Sequence, residues 1–224
     1  MSIHFILGAS GSGKSHELYE RIIQRSMKHP EMTYLVLVPE QFTMQTQKEL
    51  VSMHPGGGIL NIDVLSFQRL AYRVFEQVGA DNRKILEETG KSLVLQRVAQ
   101  ENQKQLCYLG KQMKKQGYVQ EIKSLISEFM QYDISLEQLE DMIEAVREKK
   151  RVTASKLQDI STLYQAFFQY LQDKMIPPEE VLDVLCQCVH KWEKIKRCEI
   201  VLDGFTGFTP VQNKLLDVLL GLCP

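Results

Sequence analysis

A glycine-rich segment near the amino terminus carries side chains suited to binding phosphate. The run Gly8-Ala9-Ser10-Gly11-Ser12-Gly13-Lys14-Ser15 satisfies the pattern GxxxxGK[ST] at every position. Its glycines allow main-chain N–H groups to face phosphate oxygens, and the helix that follows adds its positive end. Lys14 is expected to reach the β- and γ-phosphates of ATP, while the Ser15 hydroxyl ligates Mg²⁺. The segment therefore predicts a nucleotide-binding site made of these residues.

Apolar runs on either side of the segment indicate the elements that must position it. Ile3–Leu7 predicts a buried strand before the glycine-rich turn, and residues 14–28 show helical spacing after it. The runs 34–38 and 59–65 predict two further buried strands. Continuous apolar strands that alternate with helices are typical of βαβ units, so we expect a parallel sheet.

Strand character returns near the end of the chain, in Ile200-Val201-Leu202, and Asp203 follows directly. Proteins with this kind of phosphate loop place an aspartate at the end of a neighbouring buried strand, where its carboxylate holds Mg²⁺ through water. We therefore predict that Ser15 and Asp203 together form the Mg²⁺ site. The simpler interpretation, in which Asp203 only begins a turn, stays open.

A helical stretch separates the two groups of strands. From about residue 81 to 195 strand signals are absent, Ser135 and Gln138 form a predicted capping box, and residues 157–171 carry an amphipathic apolar stripe. Gly90-Lys91-Ser92 also spells GKS, but Ile85 stands where the first glycine of the loop pattern belongs. We predict that this second GKS lies at the start of a helix.

These patterns predict an α/β fold in which a P-loop NTPase parallel sheet carries an all-helical insertion. The expected divisions are a first part of the α/β core (residues 1–80), a helical insertion (81–195) and a second, truncated part of the core (196–224).

Composition excludes several classes of protein. The net charge is −1, so any nucleic-acid contact must come from local patches rather than from bulk charge. No apolar run approaches the roughly 18–20 residues of a membrane span, and the amino terminus lacks a signal-peptide pattern. The cysteines form no paired CxxC set, and their odd number is typical of the reducing cytoplasm; they are Cys107, Cys186, Cys188, Cys198 and Cys223. We expect a cytoplasmic protein with ordinary thiols and without a membrane partner.

Four segments in order resemble superfamily 1 DNA helicases of the UvrD and AddA kind. The phosphate loop comes first, residues 42–50 are similar to the second motif, and residues 66–71 are similar to the segment after the third strand. Residues 203–212 resemble the sequence DEFQDTNPxQ in length and at four positions, which are Asp203, Phe205, Pro210 and Gln212. The resemblance implies a RecA-like first motor domain (domain 1A) with a domain 1B-like insertion.

Departures from the helicase pattern narrow the resemblance to the AddB family. Helicases follow the metal-binding aspartate with a glutamate that activates water, whereas this sequence has Gly204 there and Gly207 at the later acidic position. Loss of a general base costs on the order of 10²–10⁴ in rate. We therefore assign no catalytic residue and expect ATP binding without efficient hydrolysis. The second motif, in its Pro39-Glu40-Gln41-Phe42-Thr43 form, is similar to AddB rather than to an active motor.

The AddB resemblance implies partners and cofactors beyond ATP and Mg²⁺. It implies an AddA-like motor and nuclease subunit, single- and double-stranded DNA ends as substrate, and recombinational repair of double-strand breaks. The family also implies a nuclease domain with an iron–sulfur cluster, but none of the cysteines here can be assigned to such a cluster. The candidate DNA contacts that it implies are Phe42, Thr43, Ser66 and Arg69, whereas Phe67 fits the DNA surface or the core equally well.

Two other classes of function remain as alternatives. A small-molecule P-loop kinase would use the helical stretch as a lid, and such lids need clustered arginines to clamp phosphates. The arginines of this stretch and its end are scattered along the sequence, at Arg83, Arg97, Arg147, Arg151 and Arg197. A purely structural module, in which the loop binds no ligand, is the third interpretation.

Overall fold

The computed structural model describes residues 3–79, 83–172 and 174–222. The fold is α/β, mostly helical, with two small parallel sheets. The described residues divide into two compact units. The first contains 3–79, 182–208 and 212–222, and the second contains 83–172, 174–181 and 209–211.

The helices and strands are numbered in chain order. They are α1 (Lys14–Lys28), β1 (Thr33–Leu37), α2 (Thr43–Met53), β2 (Ile62–Leu65), α3 (Phe67–Val78), β3 (Lys84–Ile85), α4 (Glu88–Glu101), α5 (Leu109–Gln112), α6 (Gln116–Gln131), α7 (Leu136–Arg147), α8 (Arg151–Leu171), β4 (Met175–Ile176), α9 (Val181–Cys188), β5 (Cys198–Leu202) and α10 (Pro210–Leu222). Short 3₁₀ turns lie at Glu40–Phe42, Pro178–Glu180, Val189–Lys191 and Glu193–Arg197.

The sheet of the first unit has the order β2-β1-β5, and both pairings are parallel. The central strand β1 is buried from Tyr34 to Leu37, as its uninterrupted apolar sequence predicted. In a parallel sheet all carboxyl ends lie at one edge, so the residues that follow β1, β2 and β5 come together there. Those residues include Pro39, Ser66 and Asp203, which belong to three of the motifs recognised in the sequence.

Helix α1 packs on this sheet through its buried face. Tyr19, Ile22 and Ile23 are buried in one apolar cluster with residues of β1, including Tyr34 and Val36. The helix begins and ends at the residues that the helical spacing predicted. Its first residue is therefore Lys14, directly after the glycine-rich loop.

The prediction of a buried strand at Ile3–Leu7 is wrong. These residues have no strand assignment, and the exposed fractions of Ile3, Phe5 and Leu7 are 57%, 79% and 87%. A strand requires a neighbour that accepts and donates main-chain hydrogen bonds. Among the described residues, no strand of the three-stranded sheet pairs with Ile3–Leu7. An apolar sequence alone does not provide such a pairing partner. The strand predicted at 59–65 is also too long, because only Ile62–Leu65 pairs with β1 and Leu60 is fully exposed.

The second unit is a helical assembly around its own apolar core. The predicted stripe on α8 is confirmed, since Leu163 and Phe167 are fully buried there, and the capping box at Ser135 and Gln138 is present. The prediction that this stretch is all-helical is wrong in one detail. Strands β3 and β4 form a parallel two-residue pair, which is too short to show a period in the sequence.

Within the described residues, no helix combines the length and apolar character required to cross a membrane.

The second GKS sequence lies inside α4, as predicted, and it holds helices together. Lys91 is fully buried, and its Nζ donates to Ser127 Oγ at 2.6 Å and to Glu179 Oε1 at 2.5 Å. These bonds join α4 to α6 and to the turn at Pro178–Glu180. Removing one partner of such a buried ion pair typically costs about 3–5 kcal/mol, so this lysine serves packing rather than phosphate binding.

Candidate nucleotide-binding site

The glycine-rich loop adopts a backbone conformation that only glycine accepts easily. Gly11 and Gly13 have φ values of 74° and 83°, in the left-handed region, and Gly13 is the residue directly before α1. A Cβ added at either glycine would meet nothing within 4 Å. The glycines are therefore required by backbone conformation rather than by crowding, because other L-residues pay about 1–2 kcal/mol there.

A third glycine allows the loop to fold back on itself. A Cβ added at Gly8 would lie 2.5 Å from Ser12 Oγ and 3.4 Å from Lys14 Cγ, so a side chain cannot be accommodated without movement. The main-chain N–H of Ser12 donates to the carbonyl of Ala9 at 3.2 Å, which closes the turn. The loop is thus compact, and residues 8–13 are exposed.

The ammonium group of Lys14 lies over this loop. Its Nζ donates to the carbonyl oxygens of Gly8 at 3.0 Å and Ala9 at 2.7 Å. Both acceptors are neutral, so an incoming phosphate would offer shorter and stronger charge-assisted bonds. The first turn of α1 adds N–H groups without intrahelical partners and the positive end of the helix dipole. The arrangement fits an anionic polyphosphate.

Ser15 and Asp203 come together at the end of this loop. Ser15 Oγ donates to Asp203 Oδ1 at 3.0 Å, although the two residues are 188 positions apart in the chain. The main-chain N–H of Asp203 donates to the carbonyl of Leu37 at 3.1 Å, which fixes Asp203 to the end of β1. A hydroxyl and a carboxylate are oxygen ligands of the kind that Mg²⁺ prefers. The pair therefore fits a magnesium ion that takes its remaining ligands from nucleotide and water.

Sequence reasoning missed Tyr19, which contacts the same carboxylate. Its hydroxyl donates to Asp203 Oδ2 at 2.7 Å and lies 3.4 Å from Thr46 Oγ1 on α2. Burial raises the pKa of Tyr19 above its ordinary value, and the Asp203 carboxylate raises it further, so the hydroxyl stays a donor. The signal that could have revealed it is its spacing from Ser15, since residues four apart share one face of a helix.

Gly204 follows Asp203, at the position where the helicase resemblance would place a general base. Its φ is 76°, and a Cβ added there would lie 3.5 Å from both the Phe42 ring and the Pro39 ring. Any residue other than glycine, glutamate included, would adopt this left-handed backbone conformation only at an energetic cost.

The candidate DNA contacts divide into buried and exposed side chains. Thr43 is buried, and its hydroxyl donates to the Glu40 carbonyl. Ser66 is also buried; it caps α3 and donates to a Glu40 carboxylate oxygen. Arg69 is exposed, with its Nε 2.8 Å from Glu40 Oε1, and Phe42 is 38% exposed. Of the four candidates, Phe42 and Arg69 therefore have side chains at the surface. The sequence analysis did not identify the role of Glu40, which bonds to Thr43, Ser66 and Arg69.

Phe67 belongs to the core. It is buried and packs against Phe205 and Phe208, with ring centroids 5.4 Å and 6.3 Å away. This aromatic cluster joins the start of α3 to the segment after β5. Of the two interpretations of Phe67, the structure therefore shows the packing role.

The described cysteines are free thiols at Cys107, Cys186, Cys188 and Cys198, while Cys223 lies outside the described residues. Burial raises the pKa of Cys186 to about 11, so this thiol stays protonated at neutral pH. In residues 3–79, 83–172 and 174–222, no group of three or more histidine, cysteine, aspartate or glutamate side chains has the geometry to hold a metal ion.

Comparison with known proteins decides the family. The family model described as "ADDB, N-terminal" matches residues 5–224. The chain belongs to the AddB N-terminal family. Similar relatives include an ATP-dependent helicase/deoxyribonuclease subunit of Lachnoclostridium phytofermentans, at 51% identity, and the proteins of the same description from Caldanaerobacter subterraneus subsp. tengcongensis (37%) and Clostridium kluyveri (35%).

Each of these alignments covers 98% of this AddB-family chain and 19% of the relative. The chain thus spans about a fifth of the length of the relatives that it matches. The resemblance to AddB drawn from the sequence motifs is confirmed, and the relatives' descriptions support a helicase and nuclease subunit at the level of the family.

The left-handed backbone at Gly204 predicts a specific loss of stability. We expect Gly204→Ala to destabilise the AddB-family chain by about 1–2 kcal/mol, because alanine pays the left-handed penalty and its methyl group touches Phe42 and Pro39. Urea unfolding measures this. Gly207→Ala is the matched control, since a Cβ there meets nothing within 4 Å. Equal unfolding midpoints for the two variants would contradict the interpretation.

Proposed function

We propose that this chain is the ATP-binding, helicase-like N-terminal part of an AddB protein, in a heterodimeric helicase–nuclease that processes double-strand DNA breaks for recombinational repair. The observation that carries the proposal is the position of the Lys14 loop beside the Ser15–Asp203 pair. Membership of the AddB family supports it, because its relatives are described as subunits of an ATP-dependent helicase/deoxyribonuclease.

In this proposal the first unit is a RecA-like domain 1A and the second unit is its domain 1B-like insertion. The support is topological: β5 follows the helical stretch in sequence and yet pairs with β1, so one sheet contains strands from both sides of that stretch. The core would then comprise 1–80 and 196–224, with 81–195 inserted. Residues 182–197 belong to the compact unit that contains the sheet, which supports an insertion that ends near residue 181 rather than at 195.

Different residues of the chain bind the phosphates and the magnesium ion of Mg·ATP. Loop amides from Gly11 to Ser15 and the Lys14 ammonium bind phosphate oxygens, and Lys14 exchanges its two carbonyl partners for them. Ser15 and Asp203 hold the magnesium ion, which when bound neutralises phosphate charge. The position after Asp203 offers no proton acceptor, because it is Gly204. The site therefore binds nucleotide and hydrolyses it poorly.

The remaining parts of the proposal concern partners. A helicase–nuclease needs a subunit that hydrolyses ATP to move along DNA, and we propose that an AddA-like subunit has this role. We propose DNA ends as the substrate and the cytoplasm as the location. Phe42 and Arg69 are the exposed candidates at the edge where the strands end, so we propose that single-stranded DNA passes there.

Replacement of Lys14 tests phosphate binding. We expect Lys14→Ala to weaken Mg·ATP binding roughly 10- to 100-fold, since charge-assisted hydrogen bonds contribute about 1.5–3 kcal/mol. Stability should change little, because the lost bonds are to exposed loop carbonyls. Isothermal titration calorimetry measures the affinity, and Lys28→Ala, at the far end of the same helix, is the control. Unchanged affinity in Lys14→Ala would overturn nucleotide binding at this loop.

Turnover tests the missing general base. The purified chain with Mg·ATP should release phosphate about 10²–10⁴ times more slowly than a superfamily 1 motor that keeps the glutamate, with or without single-stranded DNA. A phosphate-release assay run on both proteins side by side checks this. Turnover equal to that of the motor would show that another residue supplies the base.

Replacement of Phe42 tests the DNA contact. If a base stacks on its ring, Phe42→Ala should weaken single-stranded DNA binding by about 1–3 kcal/mol in a fluorescence anisotropy titration. Met44→Ala removes an exposed apolar side chain two residues further on and serves as the control. Equal losses in both variants would contradict stacking at Phe42. Complete absence of DNA binding would instead favour the small-molecule kinase.

A further inference from the structure

A hydrogen-bonded chain runs from the nucleotide loop to α2. Ser15 donates to one oxygen of Asp203, Tyr19 donates to the other, and the Tyr19 hydroxyl lies within hydrogen-bonding distance of Thr46. The four side chains come from α1, α2 and the end of β5. Among these four side chains, Tyr19 contacts both Asp203 and Thr46 through its hydroxyl oxygen.

The two donors restrain the orientation of the Asp203 carboxylate, because each holds a different oxygen. Tyr19 holds Oδ2 at 2.7 Å, so Oδ1 is the oxygen that faces Ser15. Ser15 uses its proton in that bond, which leaves the lone pairs of its hydroxyl oxygen available to a cation. The orientation of the metal-binding hydroxyl therefore depends on the orientation of the carboxylate, and the carboxylate depends on Tyr19.

Burial makes this dependence stronger than a surface contact would. Tyr19 is 3% exposed and Thr46 is 5% exposed, so water competes poorly for the Tyr19 hydroxyl. Hydrogen bonds in such surroundings are stronger than in water. The ring of Tyr19 also packs with Ile22 and Ile23 on the buried face of α1, which fixes the position from which the hydroxyl donates.

We infer that Tyr19 is a positioning residue for magnesium: it fixes the Asp203 carboxylate, and through it the Ser15 hydroxyl, in the orientation that receives the ion. The inference rests on the proposed binding of Mg·ATP at the Lys14 loop. Its specific consequence is that Tyr19 contributes to the part of nucleotide affinity that requires Mg²⁺ and not to the part that the loop amides and Lys14 supply.

The test compares ATP affinity with Mg²⁺ and with EDTA in place of Mg²⁺, by calorimetry on the whole 224-residue chain. Tyr19→Phe removes only the hydroxyl and keeps the buried ring. We expect it to reduce the gain in affinity due to Mg²⁺ roughly 10- to 100-fold, the usual effect of losing a group that orients a metal ligand. ATP affinity in EDTA should stay at the wild-type value.

Tyr164→Phe is the matched control. Tyr164 is also buried, and its hydroxyl donates to the Ile134 carbonyl at 3.2 Å, in the second unit. The substitution removes a similar buried hydroxyl, and both affinities should remain unchanged. A Tyr19→Phe variant that loses affinity equally with and without Mg²⁺, or that keeps the full gain due to Mg²⁺, would overturn the inference, because the hydroxyl would then be structural.

A double-mutant cycle tests whether the effect of Tyr19 on Mg²⁺-dependent affinity acts through Asp203. In an Asp203→Ala background the acceptor is gone, so Tyr19→Phe should have no further effect on the gain due to Mg²⁺. Additive losses would contradict positioning through Asp203. Failure of the proposed function is a separate outcome, in which the wild-type chain binds no ATP or Lys14→Ala binds it as well as wild type does.

Discussion

The hydrogen bond between Ser15 and Asp203 joins residues 188 positions apart, and the rest of the candidate site depends on that meeting. Two independent features bring it about. The parallel pairing of β5 with β1 places the end of β5 beside the end of β1, where the Asp203 N–H is held by the Leu37 carbonyl. The packing of α1 on the same sheet then brings the first turn of the helix to Asp203. An oxygen pair suited to a divalent cation results without any cluster of acidic residues.

The left-handed backbone conformation occurs both in the glycine-rich loop and directly after β5, but its surroundings differ between the two places. At Gly11 and Gly13 the left-handed conformation shapes a loop with open space around it, which an anion can occupy. At Gly204 the same conformation follows the Asp203 carboxylate and brings the main chain close to Phe42 and Pro39. The first arrangement suits an anion, and the second leaves no side chain at the position after Asp203. These two features support the proposed binding of nucleotide without efficient hydrolysis.

The parts of the structure that sequence predicted best are those fixed by local patterns. Helical spacing of apolar residues predicts the helix at 14–28, and an uninterrupted apolar run at 34–38 predicts the buried strand that the structure shows at Thr33–Leu37. Ile3–Leu7 carries the same apolar signal and forms no strand, because pairing depends on a neighbour that composition does not reveal. The sequence does not predict the pair β3–β4, because each strand has two residues and is too short to show a periodic pattern.

The candidate site was predictable where it depends on residue type and hidden where it depends on tertiary contact. The glycines, Lys14, Ser15 and Asp203 follow from motif and spacing. The burial of Thr43 and Ser66 around Glu40 does not, because their hydroxyls are used by side-chain and main-chain partners that only the fold supplies. Tyr19 is partly predictable. Its helical spacing from Ser15 is visible in the sequence, but its hydrogen bond to Asp203 depends on the sheet pairing that positions Asp203.

Amide hydrogen exchange with and without Mg·ATP tests nucleotide binding at the loop most directly, because the proposed ligands of the phosphates are main-chain N–H groups. We expect Mg·ATP to slow exchange in peptides that cover Gly8 to Ser15, with a smaller change around Asp203 and little in the helical core of the second unit. Saturating Mg·ATP that leaves exchange in the loop unaltered, or that protects only residues between 83 and 172, would contradict nucleotide binding at this loop.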